Sequence, residues 1–198
     1  SRVIVSNLVD VRLPCQVISQ AQPSGRWRLG LGWLALALGA IAGPAGLEHW
    51  AGSPGAALAA AIVVNTLDGQ GVSGDGACSL PEAVQNANLN VASAPDCPAG
   101  SSVVPDLITF SVSGTIVIPS NLLLFDAAGV IIDGAGQAVT ITGNRPDAVV
   151  TPLFVQASAE LHRLTIADSS GLGVSNIGSL TVNQSIIKGN ALGGLANA

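Results

Sequence analysis

The chain has no methionine and no tyrosine, and its 198 residues include only three phenylalanines and three tryptophans. All three tryptophans lie before residue 51, so Phe110, Phe125 and Phe154 are the aromatic residues of the remainder. So few rings offer little surface on which sugars or bases could stack. The absence of methionine and an end at Ala198 inside an apparent repeat lead us to expect a piece of a longer protein.

Basic residues are also scarce. From residue 62 onward there are three basic and ten acidic residues. An acidic surface repels the phosphates of nucleic acids and of anionic lipids. The composition therefore predicts no nucleic-acid partner and no charge-driven binding to a membrane surface.

The N-terminal part resembles an export signal. Arg26 and Arg28 precede an uncharged run of 19 residues, 29–47, and small-x-small sites end at Ala59 and Ala61. A positive flank, an apolar run and small residues are the parts of a secretory signal. The rival interpretation is an uncleaved membrane anchor, because a bilayer span needs about 20 apolar residues. We expect residues 1–61 to be an N-terminal extension with a signal peptide, and the mature protein to be secreted or at the cell surface without a membrane span.

Two cysteines, Cys78 and Cys97, follow the predicted signal, and Cys15 precedes it. An even number of cysteines in an exported chain favours a disulfide. Closing this loop would contribute about 3 kcal/mol. A metal site is the alternative, but the pattern Cys-x-x-Cys does not occur and His162 is the only histidine after residue 61. We predict a Cys78–Cys97 bridge and no metal.

A short helix is predicted between these cysteines. Ser79 and Glu82 have the Ser-x-x-Glu spacing of a capping box, in which both side chains bond free N–H groups of the first turn. Pro81 is tolerated in that turn because its missing N–H is not needed there. Apolar residues at positions 80, 83, 84 and 87 form one stripe. Glu82 as a catalytic acid is the alternative, but capping explains it fully.

The motif CSLPEA at residues 78–83, with VVNT at 63–66 before it and DLITF at 106–110 after it, resembles the Cys-Ser-Leu-Arg-Glu-Ala (CSLREA) domain family. The match covers residues 62–110 and departs at Pro81, where the family has Arg. The resemblance implies a surface or secreted bacterial protein in which residues 62–105 lead into a pectin-lyase-like β-helix. It implies little about chemistry.

From residue 106 to 198 the sequence consists of short β-rich runs separated by Gly, Asn, Asp and Ser. Internal matches join residues 161–166 to 177–182 at an offset of 16, 174–176 to 195–197 at 21, and 141–144 to 187–190 at 46. Retained apolar triads with varying offsets are typical of a solenoid whose loops differ in length. The predicted strands are 107–110, 115–118, 122–125, 130–132, 139–141, 153–155, 164–166, 180–182 and 185–187.

The predicted fold is therefore all-β: a right-handed parallel β-helix, pectin-lyase-like, with a short N-terminal capping helix. That helix would cover the unpaired edge of the first coil, which would otherwise invite aggregation. Asn176 and Asn197 occupy equivalent positions in their repeats and are expected to form an internal ladder of amide hydrogen bonds.

The candidate polar site consists of Asp133, His162, Arg163 and Asp168. Both aspartates lie in Gly- or Ser-rich segments typical of turns. The offset of 16 equates His162 and Arg163 with residues 178–179, which indicates solvated corners. No pair of adjacent aspartates supports hydrolysis of a polysaccharide, so we predict no catalytic residue here.

The loop from Asp68 to Gly76 alternates Asp and Gly, which suggests Ca²⁺, but it lacks the regular Asp-x-Asp-x-Asp spacing of a calcium loop. We expect no other cofactor. The leading functional hypothesis is an adhesive or structural protein, non-catalytic in this region, whose partner is an extracellular polysaccharide or protein. The alternative is a polysaccharide lyase or hydrolase with its site on later coils.

Overall fold

The computed structural model describes Val3–Ile4, residue 59 and residues 61–198. All the described residues belong to one compact unit. The predicted signal, with Arg26, Arg28 and the apolar run 29–47, lies outside them. Across the described ranges, no helix has the length and hydropathy needed to span a bilayer.

The described chain is mostly strand, with one helix, α1 (Leu80–Leu89). The strands are β1 (Val3–Ile4), β2 (Ala61–Val64), β3 (Asp106–Phe110), β4 (Gly114–Val117), β5 (Leu122–Leu124), β6 (Val130–Asp133), β7 (Val139–Thr142), β8 (Leu153–Val155), β9 (Ser158–His162), β10 (Thr165–Ala167), β11 (Leu172–Asn176), β12 (Ser179–Asn183), β13 (Ile186–Lys188) and β14 (Gly193–Asn197).

From β3 onward the chain passes through three sheets in rotation. Sheet I has the order β2-β3-β6-β9-β12, sheet II β4-β7-β10-β13, and sheet III β5-β8-β11-β14. All these pairs are parallel, and β1 pairs antiparallel with β13 at the end of sheet II. The prediction of a mostly-β chain with one short helix is confirmed.

The strand registers test the predicted repeats. Leu161 pairs with Val182, so the offset of 16 is wrong and this circuit takes 21 residues. Asn176 pairs with Asn197, as the offset of 21 predicts. Ile141 reaches Ile187 in two steps through Ile166, which confirms the offset of 46. The error arose because the spacing of apolar residues in these segments fits two registers.

Interior side chains stack from strand to strand. Sheet II aligns four isoleucines, of which the first three are fully buried: Ile116, Ile141, Ile166 and Ile187. Sheet I aligns Ile62, Ile108, Ile132, Leu161 and Val182 in the same way. Burying one such side chain stabilises the fold by about 1.5–3 kcal/mol relative to leaving it exposed. The periodic core is therefore the main source of stability.

After residue 105, three strands, β9, β11 and β14, were not among the predicted runs. Their sequences are SAELH, LGVSN and GGLAN, which combine Gly, Ala, Ser and Asn with few β-branched residues. Such residues have low intrinsic β propensity. Pairing with neighbouring strands determines the structure of these segments.

Helix α1 contacts β2, β3 and β5, the strands nearest the N-terminal end of sheets I and III. Ser79 is its N-cap, and the reciprocal capping box with Glu82 is present. Cys78 and Cys97 form a disulfide with a Cα–Cα distance of 4.9 Å. The disulfide closes a loop from Cys78 to Cys97 that contains α1.

Asn86 organises that loop from inside. It is fully buried, and its amide nitrogen donates to the carbonyls of Ala94 and Cys97 at 2.8 and 2.9 Å. Its amide oxygen accepts from the backbone N–H of Ala94 at 2.8 Å. The helix, the disulfide and the Asn86 amide together fix the conformation of residues 78–98, which we call the N-terminal cap.

Candidate functional site on the outer face of sheet I

Alternate residues of sheet I face outward and align in rows across the strands. One row contains Asp133 of β6, His162 of β9 and Asn183 of β12, which are direct lateral partners. The next row brings Glu160 of β9 between Ile131 and Thr181. These residues, with Arg163, form what we call the outer polar strip.

Arg163 forms an ion pair with Asp133. Its Nε donates to Oδ1 of the carboxylate at 3.0 Å and its second terminal nitrogen donates to Oδ2. The side chain of Arg163 is 41% exposed and that of Asp133 16%. An ion pair so accessible to water contributes at most about 1 kcal/mol. Its main effect is to orient the guanidinium along the strip.

Glu160 and His162 form the second pair of the strip. Nε2 of His162 lies 2.9 Å from Oε2 of Glu160. The two residues are separated by one position on β9 and therefore point to the same face. The pair therefore places an imidazole and a carboxylate side by side on the outer face of β9.

Three of the four predicted site residues, Asp133, His162 and Arg163, thus come together. Asp168 does not, because it follows β10 in a left-handed conformation (φ 54°) and packs beside Gly189. The predicted equivalence of His162 and Arg163 with residues 178–179 is wrong. Asn183 is the strand partner of His162. Glu160 was missed; strand alternation on β9 places it two positions before His162 on the same outer face.

The C-terminal part of the loop from Asp68 to Gly76 surrounds the carboxylate of Asp96. The backbone N–H groups of Gly74, Asp75 and Gly76 all donate to this carboxylate, the last two at 3.1 Å. Successive N–H groups that converge in this way form an anion-binding concavity. The carboxylates of Asp68 and Asp75 accept hydrogen bonds from Gln70 and Ala77, within their own turns.

A pair of buried carboxylates lies beneath the C-terminal end of α1. Asp106 is 0% and Asp126 is 3% exposed. Burial raises the pKa of Asp106 to about 6, the N–H of Ser101 opposes this, and the charge of Asp126 adds to it. Sequence reasoning missed this pair because its members come from separate segments. Within residues 61–198, no three His, Cys, Asp or Glu side chains gather into a metal-binding group.

Comparison of the chain with models of known families, with curated proteins and with solved structures gives no match.

Proposed function

We propose that this chain belongs to an exported right-handed parallel β-helix protein of the CSLREA type that serves an adhesive or structural role at the cell surface. The observation that carries the proposal is the regular rotation of the chain through three parallel sheets, each of which aligns its strands in register. A solenoid of this kind presents long, regular outer faces suited to binding extended partners.

The N-terminal cap supports an extracytoplasmic location. Its disulfide persists in oxidising compartments and is rare in the cytosol. Two arginines, an apolar run and small-residue sites precede the cap, which is the order of parts in an exported protein.

The outer polar strip supports binding more than catalysis. Asp133 is bound to Arg163, and Glu160 to His162, so both carboxylates are engaged by a neighbouring side chain. A carboxylate bound in this way still has lone pairs that can accept hydrogen bonds from hydroxyl groups of a polysaccharide or from a protein surface. We therefore propose the strip as the contact face for such an extracellular partner.

A test of this proposal uses the full chain, expressed in a bacterium with its N-terminal segment intact. We expect cleavage after Ala59 or Ala61, which removes β1 from the end of sheet II. We also expect recovery outside the cytoplasm and binding to immobilised polysaccharide or matrix protein without turnover. The double variant Glu160→Gln/Arg163→Gln should bind more weakly, whereas Lys188→Gln, on sheet II, should not. Retention in the cytoplasm with both cysteines reduced would contradict the location.

The second candidate is a polysaccharide lyase or hydrolase, favoured by the contact between Glu160 and His162. Incubation of the exported protein with polyuronates separates the two functions. Rapid formation of unsaturated or reducing ends, abolished by His162→Gln, would establish the enzyme and overturn the non-catalytic proposal.

A further inference from the structure

Four buried side-chain oxygens of the described residues have no hydrogen-bond donor. One, Oε1 of Glu82, belongs to the capping box at the start of α1. The other three come from three segments near the end of that helix: Oδ1 of Asn90, Oδ2 of Asp106 and Oδ2 of Asp126. A buried acceptor without a partner costs about 1–3 kcal/mol, and more if it is charged. Three such atoms in one region therefore need a common explanation.

Hydrogen bonds connect the three residues. The amide nitrogen of Asn90 donates to Oδ1 of Asp126 at 3.0 Å, so the free oxygens of these two side chains belong to groups in direct contact. The backbone of Asp106 donates to Gly129, and Gly129 donates to the carbonyl of Asp126, at 2.9 and 3.1 Å. The backbones of Asp106 and Asp126 are thus both bonded to Gly129, which brings the two residues to the same turn.

The two carboxylates have no basic partner among the described residues. Among the described residues, the ion pairs of Lys, Arg and His involve Glu160 and Asp133, not Asp106 or Asp126. Asn90 is the C-cap of α1, and the last turn of that helix has no basic residue. The helix dipole brings further negative charge to this end.

We propose that Asn90, Asp106 and Asp126 bind a calcium ion beneath the helical cap. Two carboxylates balance the charge of the ion, and the donors are all oxygens, which Ca²⁺ prefers. Its flexible coordination allows carbonyls and water to complete the shell, whereas Mg²⁺ demands a stricter octahedron. The site is separate from the loop between Asp68 and Gly76.

This site would join the cap to the coils. Asn90 ends the helix, Asp106 begins β3, and Asp126 precedes β6. An ion held by all three therefore links the cap to two successive strands of sheet I.

The test is calorimetric titration of the purified full chain with CaCl₂ after chelation, combined with thermal unfolding. We expect one bound ion per chain and, at a hundredfold excess over the dissociation constant, a rise in Tm of about 5 to 10 °C. Mg²⁺ at the same concentration should give a smaller rise.

Asn90→Gly is the variant that best preserves the fold, because glycine accepts the left-handed conformation of this position (φ 56°). It removes one ligand and should weaken binding about tenfold or more. Asp126→Asn should abolish binding, and the control Asp75→Asn should bind like the unmodified chain. The proposal is overturned if the unmodified chain binds no Ca²⁺, or if Asp75→Asn loses binding while Asn90→Gly and Asp126→Asn keep it.

Discussion

The side chain of Asn88 accepts a hydrogen bond from the backbone N–H of Phe125 at 2.9 Å and donates one to the carbonyl of Leu123 at 2.6 Å. Phe125 follows β5, whose other edge pairs with β8. The amide thus takes the place of a neighbouring strand at the N-terminal end of sheet III. A single side chain satisfies an edge that would otherwise present free backbone groups.

Replacing Asn88 by alanine should therefore lower the free energy of unfolding by about 1–2 kcal/mol, because three backbone groups, those of Leu123, Phe125 and Asp126, lose their partner. Urea unfolding measures the loss, and hydrogen exchange should show faster exchange of the Phe125 amide. The matched control is Gln85→Ala, an exposed position of the same helix. Equal losses in both variants, with unchanged exchange at Phe125, would contradict the edge-capping role.

The helix shows what the sequence could predict and what it could not. The capping box of Ser79 and Glu82 is local, so its spacing was sufficient to place the N-terminus of α1. Asn86, Asn88 and Asn90 bond to segments that are distant in sequence. Their own spacing along the helix and its C-cap does not indicate which segments these are.

The same distinction applies to the sheets and to the site. Runs of β-branched residues marked most strands, but the register between them had to be inferred from weak internal matches. The offset of 16 aligned Leu161 with the wrong residue and so separated His162 from its true partner, Asn183. The strip could not be assembled until the register was known, since a slip in register changes every lateral neighbour.

The disulfide yields a second prediction. In a Cys15→Ser background, which removes the remaining cysteine, the double variant Cys78→Ala/Cys97→Ala should lose about 3 kcal/mol of unfolding free energy. The reason is that the bridge restricts the unfolded chain between residues 78 and 97. Urea unfolding with and without reductant measures the effect, and reductant should lower the stability of the bridged chain only. Two reactive thiols in the exported Cys15→Ser protein would rule out the bridge.

A third prediction concerns the backbone between β12 of sheet I and β13 of sheet II. Gln184 is exposed and has a positive φ of 51°. Holding a non-glycine residue in the left-handed region destabilises the folded state by about 1–2 kcal/mol. Glycine avoids that cost, but it loses about 0.5–1 kcal/mol more conformational entropy on folding. Gln184→Gly should therefore stabilise the protein by roughly 0.5–1 kcal/mol.

The matched control is Gln156→Gly, an exposed glutamine without a positive φ. This variant should lose stability, because glycine gives no conformational relief there. Thermal unfolding of both variants decides the matter. Destabilisation by Gln184→Gly as large as that by Gln156→Gly would show that the corner carries no strain.

The last prediction concerns pH in the calcium-free chain. The pKa of Asp106 is about 6 in the folded protein against an ordinary value of 3.8, mainly because the carboxyl is buried. The folded state therefore binds more protons than the unfolded state between these values, and stability must fall as the pH rises through this interval. The loss should amount to about 1–3 kcal/mol between pH 4 and 7.

Urea unfolding in chelator at several pH values measures this loss. Asp106→Asn is the decisive variant, because its amide oxygen can still accept the hydrogen bond that Ser101 donates at 2.7 Å while the ionisable group is gone. Its stability should be nearly independent of pH in this interval, and the exposed Asp147→Asn should behave like the unmodified chain. A pH dependence that persists in Asp106→Asn would assign it to a different group.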